Sequence, residues 1–275
     1  MTGIIGAICG DIIGSTYERL NFKKDKKVEK IPYDFNIITK GMRPTDDSVC
    51  TLAVADWLMH TNRTNDELID KLHYWCTKYY FGFAGMFRKW IDNKSREPYN
   101  SYGNGSAMRV SPVGWYAKTE DECLMLAKQS AEVTHNHPYG ISGAQCVALA
   151  IFYVRQGMSK DEILKKLIEK FPEFDFTKSY DEIYPDYKFE CINQVSIPAC
   201  IACWYESTSY EDCVRKAIAL TGDTDTEACI AGAICNANPE TQITADWMVP
   251  VFDHVEHLTF EMLAIINEFH KKYEV

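Results

Sequence analysis

Gly222-Asp223-Thr224-Asp225-Thr226-Glu227-Ala228-Cys229-Ile230-Ala231-Gly232-Ala233-Ile234-Cys235 begins with carboxylates and hydroxyls and continues in small apolar residues. Thr and Asp are residue types that cap a helix N-terminus, and the run behind them shows no strand-like alternation, so a helix is predicted over about 225–237. Ala228, Ala231, Gly232 and Ala233 let neighbouring backbone come close, which places this helix in a crowded centre with its acidic end held rigidly. Thr45-Asp46-Asp47-Ser48 has the same build, and Val49, Leu52, Ala53 and Trp57 suit one face of the helix that follows it.

Outward from these two, apolar spacing predicts helices over about 121–134, 140–156, 159–170, 194–206, 210–220 and 257–273. Another carries Leu68, Leu72 and Trp75, with Thr64 or Asn65 as its cap. Strand alternation is scarce, so the fold class is all-α. With 275 residues, 46% of them hydrophobic, the chain can bury a sizeable core. The expectation is a single compact multi-helix domain over residues 1–275 with a central metal-binding cleft. Residues 19–44 and 171–193, rich in Pro and polar residues, read as irregular, and loops of that length often carry function. Asp11 is assigned to fixing the backbone of a first loop.

The two acidic stretches point to cation chemistry. Carboxylates gathered in one pocket repel by about 3 kcal/mol per pair at ~5 Å and an effective dielectric of ~20, so they need a counter-ion. Asp46, Asp47, Asp223 and Asp225, with the hydroxyls of Thr45 and Thr226, form an oxygen-only ligand set. Such a set suits Mg2+ or Mn2+, and neither stretch offers the Cys or His that zinc prefers. Helix capping is the competing reading, but a cap uses one side chain and each stretch has ligands to spare.

Composition removes several function classes. A formal charge of −10 argues against nonspecific binding to nucleic acid or to a membrane surface. Lys23, Lys24, Lys26, Lys27 and Lys30 are interleaved with Asp25 and Glu29, which reads as a solvated loop. The eleven cysteines are an odd number on mostly apolar faces, as expected in a reducing compartment, here the cytoplasm. Cys200 and Cys203 form the one CxxC pair, with no second pair to complete a thiolate zinc site, so core packing is expected. The apolar start from Ile4 to Ile13 lacks a basic flank and is broken by Asp11, unlike a signal peptide.

Tyr102-Gly103-Asn104-Gly105-Ser106-Ala107-Met108-Arg109 lacks the third glycine of a dinucleotide fingerprint and the Lys of a P-loop. On its residues alone it reads as a turn whose glycines allow close approach to a ligand. Glu132 and His135 make a lone Glu-x-x-His, which a ferritin-like centre would need twice. His135-Asn136-His137 is equally weak as a nuclease signal in so acidic a chain.

Taken together, Gly10-Asp11-Ile12-Ile13-Gly14-Ser15-Thr16-Tyr17-Glu18, Thr45-Asp46-Asp47-Ser48, Gly103 to Arg109, Thr134-His135-Asn136-His137-Pro138 and Gly222 to Thr226 resemble the ADP-ribosylglycohydrolases, including the dinitrogenase-reductase-activating glycohydrolases. The motifs stand in the family's order across almost the whole chain. Ser48 departs from the pattern, where Thr is commoner, but keeps the hydroxyl.

The resemblance implies an ADP-ribosylglycohydrolase-like fold and a hydrolase that releases ADP-ribose from an acceptor such as a protein arginine or serine, cleaving at the anomeric carbon of the distal ribose. It implies that Gly103, Asn104, Gly105, Ser106, Ala107, Met108, Arg109 and His135 contact the ADP-ribose. Glu18 stands where the family has a glutamate near the metals, so Glu18, Asp47 and Asp223 are the candidate catalytic carboxylates; proton transfer is left between Glu18 and Asp223. Four aspartates and Glu18 carry five negative charges, which two divalent ions nearly balance. Other readings are hydrolysis of O-acetyl-ADP-ribose, poly-ADP-ribose or a nucleotide-linked ADP-ribose, or binding without turnover. A monomer is expected.

Overall fold

The computed structural model describes residues 3–18, 29–80, 83 and 85–273. Fifteen helical segments run in order: α1 (Ile5–Glu18), α2 (Asp46–His60), α3 (Asn65–Lys78), α4 (Gly85–Asp92), α5 (Gly105–Met108), α6 (Ser111–Tyr116), α7 (Glu120–Glu132) and α8 (Pro138–Arg155). After them come α9 (Lys160–Lys170), α10 (Tyr180–Ile183), α11 (Asn193–Tyr205), α12 (Tyr210–Ala219), α13 (Thr224–Cys235), α14 (Ala245–His254) and α15 (Phe260–Tyr273). Among the described residues the one β feature is an isolated antiparallel bridge between Gly103 and Ile192. The fold is all-α. No helix of the described residues is long and apolar enough to cross a membrane.

α13 lies at the centre, buried along its whole length, and packs against α1, α8, α11 and α12. The segment holding Asp11 is not a loop, as its glycines suggested, but the middle of α1. Gly6, Gly10 and Gly14 recur every fourth residue and so form one stripe on that helix. The stripe faces α13: a Cβ added at Gly10 would sit 2.1 Å from Ala228 O, and one at Gly14 would sit 2.4 Å from Thr224 O. Bare backbone therefore meets backbone. Tight packing against α13 offsets the helix propensity that glycine lacks, of order 1 kcal/mol per residue.

Thr64, rather than Asn65, caps α3, in a reciprocal arrangement with Glu67. The Gly-rich stretch is less open than a loop, because Gly105–Met108 closes one helical turn. Residues 171–192 are irregular apart from the single turn α10, Asn193 already opening α11, and 29–44 have no helix. Lys30 anchors the latter, donating to Tyr187 O at 2.9 Å and Leu220 O at 2.8 Å. Lys23, Lys24, Lys26 and Lys27 lie outside the described residues. Ten cysteines are buried, Cys200 and Cys203 among them, and Cys191 alone is exposed; none forms a disulfide.

Candidate functional site

Two helices begin at the same cavity. At the start of α2, Thr45 is the N-cap, its Oγ1 accepting from Asp47 N at 3.3 Å. Asp11 reaches across from α1 and takes four hydrogen bonds there. Thr45 N (2.9 Å) and Ser48 N (3.1 Å) donate to its Oδ2, Thr45 Oγ1 donates to Oδ1 at 2.6 Å, and Ser48 Oγ donates to Oδ2. Asp11 thus does fix backbone, that of the α2 terminus. The amides otherwise left without partners at a helix start are satisfied by a carboxylate, which the positive end of the helix also favours.

At the start of α13, Asp223 holds the cap position but makes no capping bond. Its Oδ2 accepts from Asn104 Nδ2 at 2.7 Å. Thr226 N donates to Asp225 Oδ1 at 2.9 Å, and Thr226 Oγ1 donates to Asp47 Oδ2 at 3.3 Å. One carboxylate oxygen each from Asp11, Asp47 and Asp225 lie within 4.8 Å of one another, and so do those of Glu18, Asp223 and Asp225. Asp46 lines the same cavity, half-buried, but belongs to neither trio.

Burial and mutual repulsion dominate the electrostatics. Desolvation, followed by the neighbouring carboxylates, holds Asp47 and Asp225 well above the ordinary carboxylate range. Burial first, then Asp11, pushes Asp46 up to about 7; burial first, then Asp223 and Asp46, pushes Glu18 up to about 7. Burial also raises Asp223, against hydrogen bonds from Asn104 and Cys191. Asp47 Oδ1 is buried without a hydrogen-bond partner. Such an oxygen, set among carboxylates that repel each other by about 3 kcal/mol per pair, is what a bound cation would satisfy. The donors are all oxygens, so hard divalent ions fit these residues.

The cavity has a volume of about 490 Å³, within the range of small-molecule sites. Gly103, Asn104, Gly105, Met108, Arg109 and His135 line it together with the carboxylates. Asn104 N donates to Cys191 O at 2.9 Å, and Asn193 Nδ2 donates to Gly103 O at 3.0 Å, so the α11 entry holds this segment in place. Ser106 and Ala107 face away into the core; Ser106 Oγ donates to Gly140 O at 2.7 Å. Arg109 is buried, its guanidinium donating to Ser130 O at 2.7 Å and Thr134 Oγ1 at 2.8 Å. Glu132 binds Asn65 at the surface while His135 is buried against Thr134, so the Glu-x-x-His pair is not assembled into a metal site; His137 caps α8.

Arg43, Phe189 and Cys191, from the two irregular stretches expected to carry function, also line the cavity, as do Met86, Phe87 and Tyr99, which sequence reasoning did not find. Met86 and Phe87 lie on α4, too short a helix to show a clear apolar period, and Tyr99 follows it in a loop. Nor did sequence reasoning place Asp11 with the carboxylates; a charge embedded in an otherwise apolar run with glycines every fourth residue was the available signal.

The family model described as ADP-ribosylglycohydrolase matches residues 1–274. The chain belongs to the ADP-ribosylglycohydrolase family. It is similar to ADP-ribosylhydrolase ARH3 of Mus musculus, with 25% identity covering 85% of this chain and 82% of that protein. It is also similar to an uncharacterized protein of Archaeoglobus fulgidus, with 24% identity covering 85% of each. Among solved structures, one titled ADP-ribosylglycohydrolase-related protein complex shares the fold, with a TM-score of 0.74, 20% identity and coverage of 98% of this chain and 95% of that one. The cavity described above is therefore the candidate active site of an ADP-ribosylglycohydrolase fold.

Proposed function

We propose that the chain hydrolyses the bond between the anomeric carbon of the distal ribose of ADP-ribose and an acceptor side chain, arginine or serine, using two Mg2+ or Mn2+ ions. The observation that carries this reading is the meeting of the α2 and α13 N-termini in one cavity, with Asp47 Oδ1 buried and unpartnered. Thr45, Asp46, Asp47, Asp223, Asp225 and Thr226 would hold the ions, and Asp11 keeps Thr45 oriented by accepting the hydrogen bond that its hydroxyl donates. When bound, the ions supply Lewis acidity and neutralise the clustered charge.

The chain's own groups do the rest. The Gly103–Gly105 backbone and His135, which line the cavity with the carboxylates, receive the ADP-ribose, while Tyr99, Phe87 and Phe189 exclude water from part of it. Glu18 ends α1 beside Asp223, and burial lets its carboxyl hold a proton near neutral pH. It is thus suited to give a proton to the leaving atom and to take one from the incoming water. Asp223, pinned by Asn104, is the alternative for that proton.

The test is product analysis. Purified protein is incubated with ADP-ribosylated arginine peptide, ADP-ribosylated serine peptide and O-acetyl-ADP-ribose, with magnesium or with EDTA, and released ADP-ribose is measured chromatographically. Magnesium-dependent release from a peptide supports the proposal. Release from O-acetyl-ADP-ribose alone reassigns the acceptor, and no release from any substrate overturns hydrolysis in favour of a binding module.

A further inference from the structure

His135 has a tautomer that its neighbours decide. The Arg109 guanidinium can only donate, and its Nη2 donates to Thr134 Oγ1 at 2.8 Å. That oxygen is therefore an acceptor on one side, and its own proton needs a partner. It stands 2.8 Å from His135 Nδ1. The oxygen has a second lone pair, but among the described residues no acceptor other than His135 Nδ1 is bonded to this hydroxyl, so its proton goes to Nδ1, leaving that nitrogen bare and the ring proton on Nε2.

We infer that Arg109 and Thr134 are positioning residues that fix His135 as its Nε2–H tautomer, presenting that N–H to a phosphate or ribose oxygen of ADP-ribose in the cavity. This rests on the substrate reading above. Three further observations support it. First, Nε2 faces the glycine segment: a Cβ at Gly105 would lie 3.1 Å from it and one at Gly103 3.8 Å, so the absence of side chains there leaves room for the ring. Second, the ring is held in place, since His135 N donates to Ala131 O at 2.7 Å and the Tyr99 ring lies 5.8 Å away, centroid to centroid. Third, Arg109 is a fully buried cation whose hydrogen bonds go to Ser130 O and Thr134 Oγ1 rather than to a carboxylate, and its Nε has no partner. A group so costly to bury is explained by what it does to Thr134 and His135.

Burial first, then the Arg109 charge, holds His135 well below the usual imidazole range, so the ring is neutral and its tautomer matters. A neutral imidazole offers either one donor or one acceptor on its free edge. Phosphate and hydroxyl oxygens accept from an Nε2–H, whereas a bare Nε2 would set a lone pair against a phosphate oxygen.

Thr134→Val keeps the shape and removes the hydroxyl; Thr134→Ser restores it. Nitrogen-15 NMR of histidine-labelled protein, with His135 assigned by comparison with His135→Gln, reads the tautomer. Calorimetry with free ADP-ribose reads affinity. Wild-type protein and T134S are expected to show Nε2–H, while T134V loses that single tautomer, binds ADP-ribose about 10- to 100-fold more weakly and melts a few degrees lower, since it also removes a partner of buried Arg109. A wild-type ring protonated at Nδ1, or at both nitrogens, overturns the inference without recourse to any variant. So does a T134V protein with unchanged tautomer and affinity. A wild-type protein that shows Nε2–H, loses it in T134V and binds no ADP-ribose supports the relay and overturns the substrate reading instead.

Discussion

Thr226 Oγ1 donates to Asp47 Oδ2 at 3.3 Å, joining two residues 179 positions apart in sequence. The bond ties the first turn of α13 to the first turn of α2. It brings two helix N-termini, each positive at its end, onto one set of carboxylates.

Ion binding should therefore be visible as stability. An ion at a hundred times its dissociation constant adds about 2.7 kcal/mol to the folded state, enough to raise the melting temperature by roughly 5–10 °C in a chain of this size. Asp47→Asn should shrink that rise, because it removes the charge at the unpartnered oxygen. Scanning fluorimetry with magnesium, manganese or EDTA checks it, and a melt indifferent to all three would sink the two-ion proposal.

Glu18 and Asp223 can be separated by substitution. Glu18→Gln keeps the shape and cannot transfer a proton, so hydrolysis should fall by about 100- to 10,000-fold while ADP-ribose affinity stays within a few-fold. Rate and affinity measured on the same preparation decide. Full activity in this variant would move the proton transfer to Asp223.

Packing of α1 on α13 predicts an unusually severe glycine replacement. In Gly10→Ala the new methyl meets the Ala228 carbonyl at 2.1 Å, backbone that cannot step aside, so a loss of about 3 kcal/mol or more is expected. Gly41→Ala is the control. Nothing lies within 4 Å there, and the positive φ of 87° should cost only about 1 kcal/mol. Urea unfolding of the two variants would show equal losses if the helices were not in contact.

A surface network sets a pH dependence. His60 bridges Asp56 and Glu268 at 2.8 Å each, linking α2 to α15, and Lys71 and Trp75 of α3 also bind Asp56. The bond to Asp56, then Glu268, raises the His60 pKa above its ordinary value. A folded pKa above the unfolded one means stability is fully present below about pH 6.5 and lost as pH rises through the folded value. The melting temperature should drop by a degree or two between pH 6 and pH 8, and His60→Gln should flatten the slope. An identical slope in both proteins would exclude His60 as the source.

Much of this was legible in residues and spacing. Thr45 and Asp223 announce helix starts, and Leu68, Leu72 and Trp75 mark a buried face, because capping and apolar period are local properties. α1 was not legible: three glycines weaken any local helix signal, and only the partner helix explains them. Asp11 was read as a backbone anchor, which it is, but its place in a carboxylate trio depends on where α1 ends up against α2. Arg43, Phe189 and Cys191 reach the cavity from aperiodic stretches and Phe87 from the short helix α4, and no local pattern encodes their placement.

The stripe of Gly6, Gly10 and Gly14 has one more implication. Glu18 sits one turn beyond Gly14, on a rod clamped main chain to main chain, so its reach toward Asp223 is set by skeletal dimensions rather than by adaptable side chains. Variation that tunes which acceptor is hydrolysed must then accumulate in the rim around Phe87 and Phe189, while the acidic heart keeps its spacing.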